Sequence, residues 1–143
     1  MLKLMIKYFL FFFVLFFKIT FTNAEIVKSI SVTGNERITN NTIVIFSKIN
    51  IGDDLVINDL NKVINNLYDT DFFKNVSVNL KNNILTIDVV ENYLVQSVII
   101  NGVKNKKLTQ SLLDQLTLTE NKSYVEEKSI QESFKLSNFL KLS

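Results

Sequence analysis

A chain of 143 residues with no His and no Cys lacks the side chains for serine–histidine or cysteine–histidine catalysis, for the usual zinc sites and for any disulfide. Its formal charge of +2 is misleading, because residues 1–24 hold three of the 16 Lys and Arg, seven of the 12 Phe and none of the 14 Asp and Glu. Residues 25–143 therefore carry 13 basic and 14 acidic side chains, a balance that offers no electrostatic reason to bind nucleic acid or an anionic membrane surface.

The first 24 residues have the layout of a secretory signal. Lys3 and Lys7 precede the wholly apolar run Phe9–Phe17, and Thr22-Asn23-Ala24 supplies small residues where a peptidase would cut. The alternative is an uncleaved membrane anchor, but the uninterrupted run from Tyr8 ends at Lys18 after ten residues, against the ~20 that span a bilayer. Glycosylation triplets at Asn40, Asn75 and Asn121 arise by chance in a chain this rich in Asn. An exported chain without cysteine fits a bacterial periplasm better than a eukaryotic secretory route.

Ile26 to Thr33 reads as one half-buried strand with Ile26, Ile30 and Val32 on one side. Gly34-Asn35 forms the next turn, with Gly34 free to take positive φ, and Thr39 or Asn40 can cap a helix over Thr39–Lys48. In that helix Ile43, Phe46 and Ile49 recur at near-helical spacing, and Gly52-Asp53-Asp54 breaks the run. Asn58 is the expected cap of a second helix reaching Asp69, in which Leu60, Val63, Ile64, Leu67 and Tyr68 form an apolar stripe. Val76, Val78 and Leu80, then Leu85, Ile87 and Val89, alternate on either side of a polar Lys81-Asn82-Asn83 turn, which is a hairpin. Phe72 and Phe73 are placed to plug the gap between helix and sheet.

Residues 25–92 thus form one α+β unit of order β-α-α-β-β, a three-stranded sheet with two helices on one face. At about 68 residues such a core is of modest stability. A weaker copy starts at Val95, with a strand to Ile100, a turn at Asn101-Gly102, a helix from Thr109 to Leu116 and more helix from Tyr124 onward. Leu108-Thr109 corresponds to Ile38-Thr39, and Leu116 to Phe46. Residues 93–143 contain no closing hairpin, so the expectation is an incomplete second copy with Val98, Ile100, Leu112, Leu113, Leu116 and Ile130 left uncovered.

Little chemistry remains for an active site. Asp53 with Asp54, and Asp69 with Asp71, read as solvated turn carboxylates, with Asp54 favouring the positive end of the helix that follows it. Three scattered glycines make no phosphate loop. No enzyme, cofactor or metal is expected. Tyr68, Phe72 and Phe73 read as core, Glu36 and Arg37 as an exposed ion pair or solvated turn, and Lys104-Asn105-Lys106-Lys107 as a solvated loop.

The spaced set Ile30-x-Val32-x-Gly34-Asn35-x-Arg37-Ile38, Gly52-Asp53, Leu67-Tyr68-x-Thr70-x-Phe72-Phe73-x-x-Val76 and Val89-x-Glu91-Asn92 resembles the first POTRA domain of BamA-type outer-membrane protein assembly factors. The likeness covers residues 25–92 closely and 93–143 as the start of a second such domain. It implies a periplasmic module at the outer membrane, ahead of a membrane β-barrel, with outer-membrane protein clients and assembly-machinery subunits as partners. It also implies that the hairpin's first strand lies at the sheet edge, so that Val76, Ser77, Val78, Asn79 and Leu80 can add a strand of another chain by β-augmentation. Lys74 and Lys81 flank that edge as blunting charges. Gly34, Asn35, Gly52 and Gly102 are the expected turn residues. Two other readings share the fold: the POTRA region of a two-partner secretion or autotransporter-assembly pore, and a membrane-anchored divisome protein of the FtsQ kind.

Overall fold

A computed structural model describes residues 24–142; the expected export signal lies outside them apart from Ala24. The chain runs through β1 (Glu25–Ile26), β2 (Ser29–Thr33), α1 (Asn40–Ser47), β3 (Asp54–Leu55), α2 (Ile57–Tyr68), β4 (Phe73–Lys81) and β5 (Ile84–Glu91), then α3 (Lys106–Asp114) and α4 (Glu126–Leu142). The main sheet has the order β2-β5-β4. β5 is its centre, parallel to β2 and antiparallel to β4.

Alternation explains the layering. Leu85, Ile87 and Val89 of β5 turn inward and are buried, together with Val76 of β4, while Val63 and Leu67 of α2 and Ile43 of α1 close over them in one apolar cluster. Ser31, Thr33, Ser77, Asn79 and Asp88 take the other, exposed face of the sheet, where Thr33 hydrogen-bonds Asp88. The hairpin turn has the expected chemistry: Asn82 and Asn83 both adopt positive φ, 55° and 67°, which matches the right-handed twist of the flanking strands. Thr39 caps α1 by accepting the Thr42 N–H at 3.2 Å.

Four expectations about the first unit need correction. The strand expected over Ile26–Thr33 is two strands. β1 pairs with β3, the Val27 N–H donates to the Asp53 carbonyl, and the Val27 carbonyl accepts from the Gly52 N–H. The break at Val27-Lys28 reverses the faces, so Val27 is wholly buried and Ile26 is half-exposed. α2 is capped at Val56, not Asn58, because the Asp59 carboxylate accepts the Val56 N–H at 3.1 Å. Asp59 also pairs with Lys62, and that hydrogen bond, with the Val56 N–H, holds its carboxyl below the ordinary range. Asp54, expected as a turn carboxylate, belongs instead to β3, two residues before the Val56 cap. Finally, Phe73 is the plug, buried and edge-on to Phe72 at 6.4 Å, whereas Phe72 lies on the rim against Phe46.

The second unit departs further. Residues 95–100 form no strand. Instead the Val95 N–H donates to the Lys122 carbonyl, the Asn121 N–H to the Val95 carbonyl and the Tyr124 N–H to the Tyr93 carbonyl, with a single bridge between Leu94 and Ser123. Apolar alternation makes a strand only where a partner ladder exists, and here the pairing lasts three residues. α3 starts at Lys106, where Asn105 accepts the N–H groups of Lys107 and Leu108. The supposed Lys104–Lys107 loop is thus a cap and a first turn, and Leu108-Thr109 lies inside the helix. Leu112, expected uncovered, is buried; Ile130 is half-exposed.

Candidate functional site

Among the described residues no group of three or more His, Cys, Asp or Glu is arranged to hold a metal ion, and no helix is long and apolar enough to cross a membrane. The geometry that can engage another molecule is in the backbone. β4 lies at the sheet edge with nine residues, against five in β2 at the other edge.

The register shows which groups of β4 face outward. Val76 stands opposite Val89, Val78 opposite Ile87 and Leu80 opposite Leu85. The Val89 carbonyl turns the other way, toward Gly34 on the β2 flank: a Cβ on Gly34 would fall on that oxygen. Val76–Val89 is therefore a pair that exchanges no hydrogen bonds, and alternation puts Val78 and Leu80 in the same class. Lys81–Ile84, next to the two-residue turn, has the bonded parity. Of the five edge positions expected to bind a strand, Val76, Val78 and Leu80 present backbone N–H and C=O groups to the edge. Ser77 and Asn79 spend theirs on β5 and contribute only side chains on the open face.

The end of β4 nearest α2 is modified. The register shifts between Phe73 and Asn75, leaving Lys74 as a bulge. Beside it, the Tyr68 hydroxyl accepts the Val76 N–H at 3.1 Å and donates to the Asn75 side-chain carbonyl at 3.4 Å. Tyr68, expected in the core, is 40% exposed. It ends the apolar stripe of α2, and the phenol can keep its oxygen wet while the ring packs. The ring also lines an open cleft with Lys74, Tyr93 and Tyr124.

A second cluster organises the turn after β2. Glu91, at the end of β5, points one carboxylate oxygen at the N–H groups of Glu36, Arg37 and Ile38, each 2.9 Å away. Its other oxygen lies 2.9 Å from the Arg37 Nε, and its side chain is only 6% exposed. Burial pushes this carboxyl up, but the three N–H donors and the guanidinium outweigh it and hold the group below its ordinary value. Arg37 also donates to the Asn92 carbonyl at 2.6 Å. Glu36 and Arg37 were expected as an exposed ion pair or a solvated turn; Arg37 does form an ion pair, but with Glu91, whose side chain is buried and which also holds both backbone N–H groups. Glu91 stood in the recognised pattern, but nothing in its spacing from Arg37, 54 residues away, indicated the contact.

The turn residues behave as follows. Gly34, Gly52 and Gly102 have φ of 80°, 100° and 86°. Asn35 donates to the Ile38 carbonyl at 2.7 Å and to the Asn40 side chain at 2.8 Å. Only at Gly34 does a close backbone approach add to the conformational demand. Asp53 accepts the Asn50 N–H at 2.8 Å, and Asp71 pairs with Lys128.

No protein-family model matches the chain. Among curated proteins it is 28% identical over 102 residues to the outer membrane protein assembly factor BamA of Neorickettsia risticii (strain Illinois); the match takes in 71% of this chain and 14% of that protein. Among solved structures, the N-terminal domain of Omp85 from Thermosynechococcus elongatus superposes with a TM-score of 0.55 at 14% identity, covering 81% of this chain and 51% of that one. POTRA domains 1 and 2 of Omp85 from Anabaena give 0.48 at 13% identity, over 82% of this chain and 76% of that one. The chain has the mixed α+β fold of the Thermosynechococcus elongatus Omp85 domain, and in sequence and architecture it is similar to a BamA-type POTRA region.

Proposed function

We propose that this chain supplies a periplasmic POTRA module to the outer-membrane protein assembly machinery, and that it holds client or partner segments by adding them to the β4 edge. The observation that carries the reading is the run of outward backbone groups at Val76, Val78 and Leu80 on a fold shared with assembly-factor domains. Backbone pairing is almost independent of side-chain identity, which suits clients that have in common only that they become β-strands. The module reads as non-enzymatic and exported, with the export signal at residues 1–24.

The test is amide exchange on the full chain with a synthetic peptide matching one strand of an outer-membrane barrel, ~10 residues long. The expected result is slowed exchange at Val78 and Leu80, abolished when alternate peptide nitrogens are methylated. Protection confined to α1 or α3, or unaffected by methylation, would overturn strand addition.

A further inference from the structure

We infer that Tyr68 sets the register of the β4 edge: its hydroxyl closes the edge at Val76, so that an added strand of extended polypeptide pairs with Val78 and Leu80 and stops there. The inference rests on the strand-addition reading and goes beyond it, because it assigns the length and position of the paired segment to one side chain.

Two independent features meet at the same end of β4. The bulge at Lys74 leaves one residue without a counterpart on β5, and a bulge bends its strand and strengthens the local twist, so a flat partner cannot follow the edge past Asn75. Immediately before that bend, the last regularly spaced outward amide, that of Val76, is already satisfied by Tyr68 at 3.1 Å. The Asn75 side chain, 3.4 Å from the same hydroxyl, takes its proton and leaves a lone pair facing the amide. Outward amides at Val78 and Leu80 have the same parity, and among the described residues neither meets a side-chain acceptor.

The arrangement is specific to a hydroxyl on an aromatic arm. Tyr68 is the last residue of α2, eight positions before the amide it reaches, and a shorter side chain at the end of that helix would not span to the sheet edge. Its exposure and its place on an open cleft leave it free to move, so the stop is a competition. An incoming carbonyl that displaced Tyr68 would make one hydrogen bond and break another, for almost no net gain. A strand carbonyl arriving at an amide bonded only to water gains the net worth of one hydrogen bond.

The experiment compares wild type, Tyr68→Phe and Asn75→Ala in the full chain, using the same strand peptide. Without peptide, the Val76 amide of wild type should exchange at least tenfold more slowly than those of Val78 and Leu80, and Tyr68→Phe should erase the difference. With peptide, wild type should gain protection at Val78 and Leu80 only, while Tyr68→Phe should also gain it at Val76 and bind about two- to tenfold more tightly, the worth of one net hydrogen bond. Asn75→Ala should fall between. Equal affinity and an equal footprint in wild type and Tyr68→Phe would overturn the register role while leaving strand addition standing. A peptide that protects no β4 amide in any variant would overturn strand addition, and the register role with it.

Discussion

Glu91 shows how a single carboxylate can organise a turn that its own sequence neighbourhood does not contain. Three N–H groups at the entrance to α1 converge on one of its oxygens, and a hydrogen bond to a charged group is worth about 1.5–3 kcal/mol, less where water can take its place. Glu91→Gln retains an acceptor oxygen but not the charge that suits all three donors and Arg37, so a loss of about 1–3 kcal/mol is expected at neutral pH, read from urea midpoints. The sign of the pH dependence follows from the lowered pKa. The unfolded carboxyl titrates near its ordinary value of 4.5 and the folded one below it, so the contribution is present above about pH 4.5 and lost as pH falls through the folded value. The gap between wild type and Glu91→Gln should therefore narrow at pH 3. A gap of the same size at pH 7 and pH 3 would show that shape, not charge, matters at this position.

The central strand carries the core and its neighbours carry the edges. Ile87 on β5 is wholly buried between α2 and the flanking strands, whereas Ile84, three residues earlier, is 45% exposed. Ile87→Ala should cost about 2–5 kcal/mol, as a large-to-small change in a closed core does, and Ile84→Ala no more than about 1 kcal/mol. The two thermal midpoints make the comparison, and similar losses would mean the sheet is not covered as described. A small unit has little stability to lose, so Ile87→Ala is expected near the unfolding threshold. Elements with a long hydrophobic period, α2 and the β4–β5 hairpin, were legible to within a residue or a few. Strands β1 and β3 were not, because two residues contain no period and their partners lie across the 27 positions between Ile26 and Asp54.

At the scale of the molecule the two halves are held differently. Residues 25–92 share one core. The segment after Asn92 is fastened by the short pairing of Tyr93–Val95 with Asn121–Tyr124, by the Asp71–Lys128 ion pair, and by Glu132, whose buried carboxylate accepts the N–H groups of Thr117 and Leu118. Burial pushes Glu132 up, but the Thr117 hydroxyl and these N–H groups hold it below the ordinary range. An ion pair as exposed as Asp71–Lys128 is worth about 0–1 kcal/mol at most. Amide exchange on the full chain should therefore be slowest at Leu85, Ile87 and Val89 and faster by at least tenfold in α3 and α4. Uniform protection across both halves would show that they open as one unit.

Local pattern alone determined the α+β class, the order of the longer elements of residues 25–92 without β1 and β3, the Asn82-Asn83 turn, a helix cap at Thr39 or Asn40 and the lack of histidine and cysteine chemistry. Each depends on residues within a few positions of one another, and on side-chain periods that backbone geometry imposes. Tertiary structure alone decided that Val76, Val78 and Leu80 carry the outward backbone groups and that Val27 is core while Ile26 is not. It also joined Glu91 to Arg37 and brought the Tyr68 hydroxyl to the Val76 amide. These outcomes depend on which strands become neighbours and in what register, and a shift of one residue would have reversed every one of those faces.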